Sequence, residues 1–215
     1  MTVLDLAALE AAELHTDPYP HAVVEHSFGS DALARGLREE FAAAGFVRNE
    51  RQYAEAGGKR YLMYNRYVVK DGKPVPESLA SLSETWQQLI TEILGDPYRA
   101  ALGALTGVDL DGCALEARLD RYTQGCWIEP HTDRPDKVVT QLFYFNEPWR
   151  EEWQGEFRVL RGPDLDDCAR KVLPRLGTSV VMRRSDRSWH GVPPIVEGTG
   201  QDRLSLLVHF VRDAG

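Results

Sequence analysis

The chain has 215 residues, 43% apolar and 27% charged, enough for one domain with a sizeable buried core. A net charge of −8 with no Lys/Arg cluster argues against a nucleic-acid partner, and no apolar run reaches membrane-span length. Cys113, Cys126 and Cys168 are odd in number and lack CxxC spacing, so they read as reduced thiols. The acidic, amphipathic N-terminus does not resemble a signal peptide, and a cytoplasmic protein without membrane attachment is expected.

Residues 4–14 carry apolar side chains at helical spacing and predict a short helix, broken by the prolines near Tyr19. Residues 22–24 predict a strand. Ser30 or Asp31 can cap a helix running through Ala44 to Gly45. Residues 46–49 and 61–69 read as strands, and the polar loop 50–59 between them is a candidate lid. After a turn at 71–74, residues 79–94 place Leu82, Trp86, Leu89, Ile90 and Ile93 on one helical stripe. Asp96 and Pro97 then open a second helix that stops at Gly107.

From Cys113 onward the texture changes to strands: 114–122, 126–131, 138–145, 156–160, 172–173, 179–182, 190–192 and 203–211. About eight short strands in one block fit a jelly roll of the cupin kind. The expected class is α+β, with a double-stranded β-helix core buttressed by N-terminal helices. A single domain is expected, in which 1–112 is a mainly helical region with a few strands and substrate-side loops and 113–215 is the core.

The most informative stretch runs from Tyr122 through His131 and Asp133 into the apolar alternation that follows. On a strand, residues i and i+2 leave the same face, so His131 and Asp133 can grip one ion together. An imidazole and a carboxylate suit iron, manganese or zinc, and a second histidine completes the facial triad of non-haem Fe(II) oxygenases. His190, at a strand start in Ser188-Trp-His190-Gly-Val192, is the natural third ligand. The same tripeptide at His15-Thr-Asp17 stands before Pro18 outside any strand pattern and is read as accidental. His21 and His26 read as surface residues, and His209 as a packed histidine at the far end of the last strand.

Along that strand, period 2 puts Arg203, Ser205 and Leu207 on one face. A guanidinium entering a buried strand needs an anion. A bound carboxylate satisfies it with bidentate geometry; an internal bridge to Asp120 or Asp202 is the alternative. Tyr144 and Tyr122 can send phenols into the same cavity.

At these residues the sequence resembles the Fe(II)/2-oxoglutarate-dependent oxygenases, in their prolyl-hydroxylase-like branch. The resemblance covers about residues 116–211. Its parts come in the family's order: Tyr122 and Gly125, His131 with Asp133, Tyr144-Phe-Asn146 with Trp149, Gly155-Glu-Phe157, His190-Gly-Val192, and Arg203-Leu-Ser205. The resemblance implies that His131, Asp133 and His190 bind Fe(II). It also implies that Arg203, with Tyr144, Ser205 and Tyr122, holds 2-oxoglutarate. O2 is then the second co-substrate and ascorbate the in vitro reductant.

The implied reaction is oxidation of an unactivated C–H bond, most simply hydroxylation, with release of succinate and CO2. Asp133 argues against halogenation, since halogenases of the wider family place a small residue there. Arg118, Asp120, Glu129, Tyr64, Asn65 and Trp149 are the substrate-side candidates, and their mixed polarity points to a small polar metabolite or biosynthetic intermediate. Hydroxylation of a prolyl or other residue in a peptide or protein is the alternative. A non-catalytic cupin-like metal or ligand binder is a further one.

Overall fold

The computed structural model describes residues 2–53 and 58–212. In chain order the helices are α1 (Leu6–Glu10), α2 (Asp31–Glu39), α3 (Pro76–Ala80), α4 (Glu84–Leu94) and α5 (Asp96–Thr106). The first strands are β1 (His21–Val24), β2 (Val47–Arg51), β3 (Tyr61–Lys70), β4 (Lys73–Pro74), β5 (Ala114–Tyr122) and β6 (Trp127–His131). The later ones are β7 (Lys137–Tyr144), β8 (Phe157–Leu160), β9 (Cys168–Val172), β10 (Ser179–Arg183), β11 (His190–Val192) and β12 (Arg203–Val211).

The strands form one antiparallel path, β1-β10-β7-β12-β5-β3-β6-β11-β8-β9, with β2 and β4 paired to β3. The sheet is nearly closed into a jelly-roll barrel with helices packed outside it. Two strands of the N-terminal half are built into this path: β1 pairs with β10, and β3 lies between β5 and β6.

Alternation along the central strands separates two cores. Leu204, Leu206, Val208 and Phe210 of β12, with Leu115, Ala117 and Leu119 of β5, face the helices α4 and α5. Leu142, Tyr144, Val180, Met182 and Leu207 turn the other way, into the barrel, where Tyr19 joins them. Trp86 anchors the helical side: it is fully buried, its indole N–H donates to the Leu37 carbonyl at 2.9 Å, and Phe41 packs edge-on against it.

The helix predicted over 79–94 is two helices. Ser81 donates to the Ser78 carbonyl and the Ser83 hydroxyl caps Trp86, so the serines offer the backbone local partners that compete with a continuous helix. Ser83 then serves as N-cap of α4. The helix expected to reach Ala44 stops at Glu39. Beyond it Phe41 turns to the Trp86–Phe145 cluster, and Gly45, at φ +83°, comes later in the connection. The helix expected over 4–14 is confined to Leu6–Glu10, with the Asp5 side chain capping Ala8 N–H.

Trp86 supplies the largest fully buried side chain on the helical face. Trp86→Ala is expected to cost about 3–5 kcal/mol, measured as the shift of the urea midpoint multiplied by the m-value.

Candidate active site

His131 ends β6 and His190 begins β11, and the two are direct cross-strand partners. This pairing sets their rings 4.1 Å apart between centroids. Gly191 permits the close approach of the strands: a Cβ there would sit 3.2 Å from the Ile128 carbonyl and from the Pro130 nitrogen. Asp133 lies two residues past His131, and the three donor groups lie within 4.8 Å of one another, all buried.

Hydrogen bonds select the imidazole tautomers. The Glu129 carbonyl accepts from His131 Nδ1 at 2.8 Å, and the Ser188 carbonyl accepts from His190 Nδ1 at 2.9 Å. A carbonyl only accepts, so each Nδ1 carries the proton and each Nε2 presents a lone pair. Burial holds both imidazoles below their ordinary value, leaving them neutral. Burial opposes ionisation of Asp133, but the Lys137 ammonium and its other cationic neighbours outweigh it and keep the carboxyl well below the usual range. Two neutral nitrogens and one carboxylate oxygen on one side of a point form a 2-His-1-carboxylate donor set suited to a divalent first-row metal.

Behind Asp133 runs a chain of donors that sequence reasoning missed. Lys137 Nζ donates to His209 Nε2 at 2.8 Å, and His209 Nδ1 donates to Thr140 Oγ1 at 2.8 Å. Thr140 in turn donates to Asp133 Oδ2 at 3.1 Å. His209 does occupy the end of β12 away from Arg203, but as part of this chain rather than as inert packing. Lys59 and Lys137 both approach Asp133 Oδ1, at 3.8 and 3.6 Å. Burial pushes Lys59 down to about 7 despite that carboxylate.

Arg203, at the start of β12, is 1% exposed and makes no ion pair among the described residues. The two acids that might have neutralised it are engaged elsewhere, Asp120 with Arg118 at 2.9 Å and Asp202 with Arg121 at 2.6 Å. Its guanidinium lies over the rings of Tyr122 and Tyr144, 5.1 Å from each centroid, and Nη1 reaches Ser205 Oγ at 3.3 Å. Arg203 Nε and Nη2 and the Tyr144 hydroxyl are buried without a hydrogen-bond partner. Unmet donors beside a cation in an apolar barrel form a cradle that a carboxylate fits.

A cavity of about 1110 Å³ joins these parts. Arg203 and Tyr122 line one end, the triad follows, and Arg51, Arg60 and Arg134 stand at an exposed rim. Of the expected substrate-side residues, Arg118, Asp120, Glu129 and Asn65 line it. Tyr64 and Trp149 do not. Alternation on β3 sends Met63, Asn65 and Tyr67 to the cavity and Tyr64 away from it. The Trp149 indole donates to the Gln154 carbonyl and packs edge-on against Trp153. Tyr144 and Ser205 lie behind Arg203, fully buried, rather than on the cavity wall. Residues 54–57 of the loop proposed as a lid lie outside the described residues.

Residues 117–211 match the family model of the 2OG-Fe(II) oxygenase superfamily. Over that stretch, just under half of its length, the chain is similar to the 2OG-Fe(II) oxygenases. The oxygenase fold extends through the N-terminal half as well. A prolyl-4-hydroxylase from Pseudomonas putida superposes with TM-score 0.63 at 22% identity, over 97% of this chain and 98% of that one. A 2OG-Fe(II) oxygenase-family oxidoreductase from Burkholderia pseudomallei gives TM-score 0.63 at 14% identity, over 98% and 92%. A prolyl hydroxylase from Trichoplax adhaerens, in complex with a hypoxia inducible factor oxygen degradation domain peptide fragment, gives 0.58 at 14% identity, over 89% and 83%. None of the curated proteins compared matches the chain. Among the described residues no helix is long and apolar enough to cross a membrane.

Four buried histidines, His21, His131, His190 and His209, are each held below the ordinary 6.5, chiefly by desolvation. The unfolded chain therefore takes up more protons than the native one as pH drops through 6.5, so native stability falls with it. The metal-free protein should melt at progressively lower temperature from about pH 7.5 to about pH 5.5. Thermal denaturation across that range checks this, and a level profile would contradict it.

Proposed function

We propose that this protein is a 2-oxoglutarate-dependent dioxygenase that hydroxylates a prolyl or other residue of a peptide or protein at an unactivated C–H bond. His131, Asp133 and His190 would hold Fe(II). Arg203 would hold the distal carboxylate of 2-oxoglutarate, with Tyr144, Ser205 and Tyr122 around it. The observation that carries the co-substrate assignment is Arg203: buried, unpaired, and opening onto the same cavity as the triad.

When bound, the metal and co-substrate supply the oxidation, in which 2-oxoglutarate and O2 are consumed and succinate and CO2 released. The protein's own residues prepare the place for it. Backbone carbonyls hold the two imidazoles with Nε2 free, and Thr140 fixes one oxygen of Asp133. Arg203 and the Tyr144 hydroxyl give an anion a single orientation. Leu142, Leu207, Val192 and Phe157 line the cavity between them and restrict water.

Two observations favour a peptide over the small polar metabolite that the sequence brought forward. The cavity does not end at the triad but continues to the exposed Arg51, Arg60 and Arg134. The fold is shared along nearly its whole length with a prolyl-4-hydroxylase, and with a prolyl hydroxylase whose structure holds a peptide. The small-metabolite reading keeps the support of the charged wall formed by Arg118, Asp120 and Glu129.

With Fe(II), ascorbate and 2-oxoglutarate, the enzyme is expected to release succinate, and His131→Ala to reduce that release to background. Equal release by both would defeat the assignment. Arg203→Ala should raise the KM for 2-oxoglutarate about tenfold to hundredfold, the worth of a charge-assisted hydrogen bond, while leaving Mn(II) affinity within about twofold. Hydroxylation of proline-containing peptides, against free proline and other small amino acids, is read by mass spectrometry as gain of one oxygen atom.

A further inference from the structure

The cations lining the cavity differ in their partners: Arg51 is exposed at the rim and lies over the Tyr61 ring. Arg118 is matched by Asp120, Arg60 by Glu129, Arg134 by Asp136 and Arg184 by Asp186, each at 2.9 Å or less. Arg203 faces the co-substrate end. Lys59 and Lys137 are different. Asp133 is the one carboxylate within 4.0 Å of either among the described residues, and both ammoniums approach the same oxygen, Oδ1. Their side chains are 29% and 12% exposed, so water solvates them only in part.

Asp133 cannot serve both lysines and a metal ion. A divalent cation taken up by the triad draws on the same carboxylate, whose other oxygen is already committed to Thr140. Two partly buried lysine side chains then stand beside the site with no carboxylate of their own within reach, a place where an arriving anion is favoured. His209 does not relieve it: burial keeps its imidazole neutral, and it offers Lys137 only a lone pair. Glu116 lines the same wall but makes no ion pair with either lysine.

The geometry points to an anion-binding subsite formed by Lys59 and Lys137 on the Asp133 side of the metal position, which selects substrates carrying a carboxylate next to the oxidised carbon. This rests on the hydroxylase reading above and deepens it. The subsite is separate from the Arg203 cradle: Lys137 begins β7 and pairs near the C-terminal end of β12, whereas Arg203 begins β12. Co-substrate in the cradle therefore leaves the lysines open. The carboxylate has two sources of the same chemistry, an Asp or Glu side chain flanking the target residue, or the α-carboxylate of a chain terminus or free amino acid.

Direct binding tests it without turnover. The protein is loaded with Mn(II) and 2-oxoglutarate under argon. It is titrated calorimetrically with acetyl-Pro-Glu-amide against acetyl-Pro-Gln-amide, acetyl-Glu-Pro-amide against acetyl-Gln-Pro-amide, and acetyl-proline and free proline against prolinamide. At least one carboxylate ligand should bind about tenfold more tightly than its amide counterpart, the worth of one charge-assisted contact. Which pair shows the preference identifies the source. Lys59→Gln and Lys137→Gln should each reduce that preference to about twofold or less, and Lys59→Arg should retain most of it. Mn(II) affinity, read by electron paramagnetic resonance on the same variants, separates loss of the subsite from disturbance of Asp133.

If no carboxylate ligand outbinds its amide counterpart, or if both Gln variants keep the preference with Mn(II) binding intact, the subsite does not exist. That outcome is distinct from failure of the hydroxylase reading, which would appear as wild-type succinate release no greater than that of His131→Ala.

Discussion

Antiparallel pairing of His131 with His190 is the contact on which the site depends. These residues stand far apart in the chain, and only the β6–β11 register places their imidazoles on one face at 4.1 Å. Because side chains alternate with period 2, a one-residue slip would send His190 to the opposite face and dissolve the donor set. Gly191 and the two carbonyls that accept from Nδ1 hold the register and ring orientation together. The orientation of the two imidazoles is thus settled by backbone geometry.

The N-terminal half does more than buttress the barrel. β3 lies between β5 and β6, and its Met63, Asn65 and Tyr67 form one wall of the cavity. β1 closes the other edge against β10, and the segment before it places Tyr19 inside the barrel beside Tyr144. Helices α4 and α5 pack on the outer face of β5 and β12, so that these long strands are buried on one side by apolar packing while the other carries charge. That packing backs the strand on which Arg203 sits without an acid partner among the described residues.

Electrostatics within the cavity run against the molecule as a whole. The chain is acidic, with a net charge of −8, yet the cavity gathers arginines and lysines around few carboxylates. Anions entering it meet a local field opposite in sign to that of the surface. Arg203 begins β12 and Lys137 pairs with Val211 at its other end, so the cations are spread along the cavity instead of gathered at one point.

Much of this could be read from the residue order. Spacing alone put His131 and Asp133 on one face. Alternation put Arg203, Ser205 and Leu207 on one face of their strand, and Arg118 and Asp120 share the parity of Tyr122, because period 2 is local geometry. What spacing left open was decided by tertiary contacts. Asp120 and Asp202 could each have neutralised Arg203, and only the register of neighbouring strands gave them to Arg118 and Arg121 instead. Lys137 escaped notice because a register irregularity opposite Phe210 and Val211 changes its direction at the strand start. Lys59 comes from a loop with no periodicity to read. Strand identity and facing are thus properties of the sequence, whereas the partner each charge finds is non-local and belongs to the folded chain.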